Sequence, residues 1–239
     1  MRSRPATHAR LGVDTGGTFT DFALVEGDEV RFEKVPSTPG APEHALLAGI
    51  ERLGIAARTA HAPDIVHGTT VALNALLTGS LARTALITNE GFGDLIEIGR
   101  QDRPDLYALH PVKPPAIVPR ELRFEIAQRS WPSLADSGVL ETVRSPSPSE
   151  LRKLVARVRR ARPESIAICL LHSYADPRIE TNVARALKSL GIPITTSSGL
   201  LREHREFERF SSAVINAALI PIARDYLQRL AAACARGRL

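Results

Sequence analysis

The 239-residue sequence predicts an α/β fold in which a mixed sheet with flanking helices is followed by a C-terminal helical segment. Three observations predict it. Short runs rich in β-branched and aromatic residues alternate with amphipathic stretches of helical period, which implies crossovers and some parallel pairing. A Gly-Gly pair joins the first two apolar runs in a tight connection. From about His204 the alternation gives way to a long helical pattern.

Leu11 to Val13 and Phe19 to Val25 read as the strands of a hairpin with Gly16-Gly17 at its turn, and Val30 to Val35 adds a third strand. Pro36 to Pro42 forms a Pro-rich turn into a helix whose apolar face is Leu46, Leu47, Ile50 and Leu53, with Gly54 placed to end it. Asp64 to His67 is a short strand, Val71 to Leu77 a helix, and Thr84 to Thr88 the next strand. Glycines and prolines break the segment from Glu90 to Pro119, which reads either as a functional excursion or as a surface-covering loop. Leu122 to Ala127 resumes as a strand. Ser147 and Glu150 have capping-box spacing, with Pro148 at the first helical position. A helix over 149–161, a strand over 165–171, a helix over about 176–190 and a strand over 192–196 follow. His204 to Leu230 is one long helix, or two joined near Pro221, which removes a helical hydrogen bond.

Composition excludes several classes of function. Hydrophobic residues make up 44% and charged residues 24%, as in soluble globular proteins. Met1 to Arg10 is basic, yet no apolar core of a signal peptide follows, and no apolar run is long enough to span a bilayer. The reading is a cytoplasmic protein without a membrane partner. Cys169 and Cys234 offer no disulfide framework, and Cys169, inside the apolar run Ile166 to Leu171, reads as a buried small residue rather than a nucleophile. A formal charge of +5 raises nucleic acid as a partner. Leu151, Leu154, Val155 and Val158, however, form a helical stripe that turns the neighbouring arginines to solvent, and aromatics to stack bases are few. No nucleic-acid partner is expected.

Two clusters carry chemistry. In Val13-Asp14-Thr15-Gly16-Gly17-Thr18-Phe19-Thr20-Asp21, the glycines can take positive φ and let backbone N–H groups converge on an anion. Asp14 cannot touch a phosphate favourably, but it can hold a hydrated Mg²⁺ that bridges to one, while Thr15, Thr18 and Thr20 offer hydroxyls. An ordinary structural hairpin needs neither the carboxylate nor the threonines. The lysine of a Walker-type loop is missing, so that class of NTPase is excluded. In the second cluster, Ile65 to Leu77, Gly68, Thr69 and Thr70 lie between a strand and a helix, where N–H groups and hydroxyls can face an anionic or carbonyl ligand. The alternative is a simple N-cap at Thr69 or Thr70. His67 is either a proton carrier or a structural histidine.

The hairpin resembles the first phosphate loop of the actin, Hsp70 and sugar-kinase superfamily. Taken with Val35-Pro36-Ser37-Thr38-Pro39, His67 to Leu77, Glu97 to Tyr107, Cys169-Leu170-Leu171-His172-Ser173-Tyr174 and Arg205-Glu206-Phe207-Glu208-Arg209, it makes residues 10 to 230 resemble the N-terminal region of the hydantoinase A and 5-oxoprolinase family. The resemblance implies half of an actin-like (ribonuclease H-like) ATPase over residues 10–200, and over 201–239 the helical start of a second, truncated hydantoinase A domain. It implies ATP and Mg²⁺ as cofactors and a cyclic amide as substrate, phosphorylated on the ring carbonyl oxygen before hydrolysis; related members activate ketones for carboxylation. By position, Asp14 would hold the metal and act in catalysis with Thr70. Thr15, Gly16, Gly17, Thr18 and Thr20 would bind nucleotide, and Gly68, Thr69, Thr70 and Arg100 the substrate, Thr69 and Thr70 lying on the opposite wall of a cleft. Leu73, Gly93, Phe207 and Phe210 depart from the family pattern and bear on substrate more than on nucleotide.

Gly16-Gly17 is the only Gly-Gly in the sequence, and nothing after Gly199 resembles a second phosphate loop. The expectation is therefore a chain incomplete by itself, a truncated form, split subunit or remnant, whose partners are a hydantoinase A C-terminal half and a hydantoinase B-like subunit. The alternatives are a non-catalytic nucleotide-binding or assembly module and a sugar or acyl kinase component of actin-like fold.

Overall fold

A computed structural model describes residues 9–38, 40–55, 63–102, 104–110, 112–133 and 140–236. Most of the basic N-terminal stretch, Pro39 and Arg103 of the family-like blocks, and Pro111 of the irregular segment lie outside the described residues. The chain divides into two compact units, Met1–Ser80 with Ile222–Leu239, and Leu81–Pro221.

In the first unit, β1 (Arg10–Thr15), β2 (Phe19–Glu26) and β3 (Glu29–Pro36) form an antiparallel meander; α1 (Pro42–Leu53) then crosses over to β4 (Asp64–Thr69), which pairs parallel to β1. The sheet is mixed, in the order β3-β2-β1-β4. Alternation decides what each face carries. Leu11, Val13, Phe22, Leu24 and Val35 point into the core, where Leu46, Ile50 and Leu53 of α1 cover them. Phe22 packs so closely on α1 that a Cβ at Gly49 would lie 2.2 Å from its ring, which fixes glycine there. Gly54 ends the helix in the left-handed region at φ 65°, as its position in the sequence predicts. A short helix, α2 (Val71–Thr78), follows β4.

The second unit holds β5 (Thr84–Asn89), the one-turn α3 (Leu95–Ile98), β6 (Arg123–Ile126), the hairpin β7 (Arg129–Pro132) and β8 (Leu140–Arg144), α4 (Pro148–Ala161), β9 (Ser165–Ile168), α5 (Arg178–Leu187), β10 (Ile194–Thr196) and α6 (Ser197–Leu200). Its principal sheet, β10-β9-β5-β6, is parallel throughout. Both faces of the central β5 and β9 are covered, so these two strands are buried without alternation, whereas the edge strand β6 alternates, with Phe124 and Ile126 buried and Arg123 and Glu125 between them in sequence turned the other way. Ala85, Ile87, Ile166 and Ile168 meet Leu154, Val158, Val183 and Leu187, while Leu86, Ala167 and Cys169 meet Phe210, Ala213 and Val214 on α7 (Glu206–Arg236). β4 and β5 belong to different sheets, so the parallel pairing predicted from alternation is realised within each sheet and not across the β4-α2-β5 succession.

Other boundaries also differ from expectation. α4 carries the predicted capping box, Ser147 accepting from Glu150 N and Glu150 from Ser147 N. The strand predicted over 165–171 stops at Ile168: Cys169 N still donates to Ile87 O of β5, but the amides after it turn to side chains, Leu170 N donating to Glu180 Oε1 and Leu171 N to Asn89 Oδ1. Residues 206–236 form one helix through Pro221. The β7–β8 hairpin had no sequence signal. No helix among the described residues is long and apolar enough to cross a membrane.

Two of the family-like blocks meet in a buried polar network in the second unit. Glu180, without solvent exposure, accepts from Leu170 N, Ser197 Oγ, Ser198 N and Ser198 Oγ at 2.6–2.9 Å. Arg209, equally buried, donates to Ser197 Oγ at 3.1 Å, Leu170 O at 2.9 Å and Glu203 O at 2.7 Å, and pairs with Glu206. Burial raises the Cys169 thiol well above its ordinary pKa, consistent with an inert core cysteine.

Candidate functional site

The turn of the first hairpin is closed by a hydrogen bond from Gly16 N to Phe19 O at 3.0 Å. Neither Gly16 nor Gly17 occupies the left-handed region, which corrects the reason expected for glycine here. The requirement at Gly16 is space, since a Cβ would sit 3.1 Å from the Phe19 carbonyl oxygen. Among the described residues, the N–H groups of the exposed Gly17 and Thr18 have no protein acceptor. Ser37 pins the turn from the end of β3. Its Oγ donates to Gly16 O at 2.9 Å, its N–H donates to Thr18 O at 2.8 Å, and Thr20 Oγ1 lies 2.9 Å from its Oγ. Thr20 is fully buried, so its hydroxyl supports the turn through Ser37.

The register of β1 with β4 brings both sequence clusters to the same strand ends. Asp14 lies opposite Gly68 and Thr15 opposite Thr69, and Thr70 N donates to Thr15 O at 3.3 Å. Thr69 and Thr70 are therefore side-by-side neighbours of the hairpin turn within this unit, where an opposing wall was expected. Thr69 Oγ1 accepts from Val71 N at 3.2 Å and Thr70 Oγ1 from Asn74 Nδ2 at 3.2 Å, so both hydroxyls organise the start of α2.

Strand alternation divides the cluster between two faces. Asp14 is exposed, beside Gly68 in register on one side and Asp21 on the other. A Cβ at Gly68 would approach Asp14 Oδ1 to 3.2 Å, so glycine leaves room for the carboxylate. Two carboxylates directly opposite repel. Lys34 neutralises Asp21 at 2.7 Å. The other face holds a pocket of about 330 Å³ lined by Thr15, Gly16, Gly17, Ser37, Thr69, Asn74, Ile222 and Tyr226, among others. Asp14, Thr18, Thr20, Gly68 and Thr70 do not line it.

Sequence reasoning gave Ser37, Asn74 and Tyr226 no role. Ser37 stood inside a family-like block; Tyr226 lies 159 residues from the His67 it contacts, and nothing local marks it. His67 Nε2 and Tyr226 Oη share a hydrogen bond, their rings stack at 5.7 Å, and His67 Nδ1 is buried without a partner among the described residues. Burial lowers the His67 pKa from its ordinary value of 6.5, partly opposed by Asp14. Below 6.5 the unfolded chain thus binds this proton more readily than the folded one. The stability tied to neutral His67 is present above 6.5 and is lost as pH falls through the depressed folded value. Urea unfolding followed from about pH 7 to about pH 5 should show the decline, and His67→Gln should flatten it.

Arg100, the remaining substrate candidate, belongs to the second unit, where it pairs with Glu208 at 2.8 Å and lies 6.0 Å from the Phe207 ring.

Residues 10–191 match the family described as the hydantoinase/oxoprolinase N-terminal region. The chain is 30% identical over 232 residues to the caprolactamase subunit alpha of Pseudomonas jessenii, covering 92% of this chain and 32% of that one. The crystal structure of ATP-dependent caprolactamase from the same organism superposes with a TM-score of 0.79 at 29% identity, over 93% of this chain and 33% of that one. A nucleotide-free acetone carboxylase structure shares the fold, with a TM-score of 0.77 at 23% identity over 95% of this chain and 34% of that one. The chain spans about a third of the length of the first curated relatives it matches.

Proposed function

The chain belongs to the hydantoinase/oxoprolinase N-terminal-region family, and we propose from that premise that it supplies the phosphate-binding part of an enzyme coupling ATP to the activation of a cyclic amide. The reaction would move the terminal phosphoryl group of ATP to the ring carbonyl oxygen, releasing ADP and making the carbonyl carbon electrophilic enough for water to attack. The ring C–N bond would then break with its nitrogen leaving as the amine, and a second water would release phosphate from the acyl phosphate. Phosphoryl transfer depends chiefly on positioning and on neutralising charge. The residues present suit those tasks. When bound, ATP would supply the phosphoryl group and Mg²⁺ would offset its charge.

The observation that carries this reading is the register that sets Asp14 opposite Gly68 and Thr15 opposite Thr69, at the foot of a turn with free N–H groups at Gly17 and Thr18. Those N–H groups would take phosphate oxygens. Asp14 would hold Mg²⁺ through water, and Thr15 and Thr18 would add hydroxyls. Thr20, acting through Ser37, keeps the turn in place. Thr69, Thr70 and Gly68 would border the reacting end of the nucleotide, with Thr70 beside the acceptor. Arg100 would orient an acidic group of the substrate. The partners would be a hydantoinase A C-terminal half carrying the second phosphate loop and a hydantoinase B-like subunit, in the cytoplasm. A relative's designation as a subunit alpha supports assembly with other polypeptides.

Calorimetric titration with ATP in the presence and absence of Mg²⁺ tests the assignment. Asp14→Asn should weaken Mg-ATP binding about tenfold while leaving metal-free ATP nearly unchanged, and Gly17→Val should weaken both. Equal losses for both ligands in Asp14→Asn would remove the metal role.

A further inference from the structure

The second unit contains a cavity of about 620 Å³ that plays no part in the reading above. Glu90, Gly93 and Asp94, which follow β5, and Ile126 and Ala127, which end and follow β6, form one side; Lys153, Leu154 and Arg157 of α4 form another. Its place, at the carboxyl ends of parallel strands, is where open α/β sheets bind ligands, and its volume suits a small molecule.

The charges around it are unevenly satisfied. Glu125 accepts from Gly91 N and Gly93 N, both at 3.0 Å. Asp94 is paired with Arg120 and Arg123 at 3.0 Å each, and Arg123, only 5% exposed at its side chain, also bonds Val118 O. Glu150 is occupied in the cap of α4, and Glu90 lies 3.5 Å from Arg144. Each acid thus has a partner within the protein, those of Glu125 being backbone N–H groups. Lys153 and Arg157 are not: among the described residues neither makes an ion pair or a hydrogen bond, and Arg157 instead lies over the Phe124 ring at 5.3 Å.

Lys153 and Arg157 stand one helical turn apart on the same face of α4, with Cβ atoms about 6 Å apart by helix geometry. Resting on Phe124 restricts the guanidinium, so less freedom is lost when it binds. We propose that this cavity is a binding site for a small, doubly charged anion, held between Lys153 and Arg157. Phosphate esters and dicarboxylates share that chemistry.

Titration of the chain with inorganic phosphate and, separately, with succinate, in chloride buffer at low ionic strength, tests the site. At least one should bind with a Kd on the order of 1 mM, weakening as salt is added. Binding of phosphate alone identifies a phosphate-bearing ligand, and of succinate alone a dicarboxylate. The Lys153→Gln/Arg157→Gln double variant should lose about tenfold in affinity. Glutamine is a good helix former, so thermal unfolding should show the variant folded; if it does not fold, Lys153→Gln alone carries the test, since this side chain makes no hydrogen bond or ion pair among the described residues. Gly17→Val should leave this binding unchanged, which separates it from the first phosphate loop and from the proposal made there. No binding of either anion, binding indifferent to both α4 substitutions, or loss in Gly17→Val alone would overturn the assignment.

Discussion

Glu180→Ala is expected to destabilise the second unit by about 3–5 kcal/mol, the cost of removing one partner from a buried charged network. Four donors converge on this carboxylate, among them the backbone N–H groups of Leu170 and Ser198. Alanine would leave those two buried without acceptors, and each unsatisfied group costs on the order of 1–3 kcal/mol. It would also take from Ser197 Oγ its charged acceptor, leaving the Ser173 hydroxyl at 3.1 Å, while that oxygen still receives Arg209 Nε. The loss propagates, because Arg209 holds Leu170 O and Glu203 O together. Urea denaturation followed by circular dichroism should show a lower midpoint, with Ser198→Ala losing only a fraction as much. A midpoint within about 1 kcal/mol of the parent for Glu180→Ala would mean that water replaces the carboxylate in this network.

Much of this was legible in the sequence where the cause is local. The β-branched and aromatic runs of β1 to β3, the Ser147-Pro148-Ser149-Glu150 cap and Gly54 at the end of α1 all act within a few residues, and the structure has them where they were read. The short β9 shows the limit. Nothing in Ile166 to Leu171 says that the strand stops after Ile168, because its end is decided by Glu180 and Asn89, which intercept amides that would otherwise continue the ladder. The β7–β8 hairpin escaped because its strands are only four and five residues long, too short for periodicity to mark them.

The site was legible as residues but not as an arrangement. The Asp14 to Asp21 and His67 to Thr70 clusters were each visible, yet only the parallel register shows that they share strand ends, and only alternation shows that Asp14 and Thr15 face opposite ways. The family-like blocks also divide by role. Those at Cys169 to Tyr174 and Arg205 to Arg209 build the buried network, a packing role in this unit. Tyr226 required the fold itself, because its partner His67 is remote in sequence.

The Asp14 and Gly68 pair allows a test of the metal role that keeps the aspartate in the chain and the loop in place while displacing the carboxylate. Gly68→Val should abolish the preference for Mg-ATP over metal-free ATP, an effect of about tenfold or more in affinity, and so reproduce Asp14→Asn from the neighbouring strand. Gly68 lies outside the left-handed region, and valine suits a strand, so the backbone tolerates the change. The conflict is confined to the carboxylate: a Cβ at 68 would stand 3.2 Å from Asp14 Oδ1, and the two methyl groups beyond it would turn Asp14 from its present position. The turn itself is untouched, since Gly16 N to Phe19 O and Ser37 Oγ to Gly16 O involve no atom of β4. Metal-free ATP should consequently bind as before, and the unfolding midpoint should stay within about 1 kcal/mol of the parent, as for a substitution with no buried partner. Calorimetry with and without Mg²⁺ on the same preparation separates the outcomes. If Gly68→Val keeps the full magnesium preference, Asp14 does not hold the metal from the position seen here; if it loses both forms of ATP equally, β4 contacts the nucleotide directly.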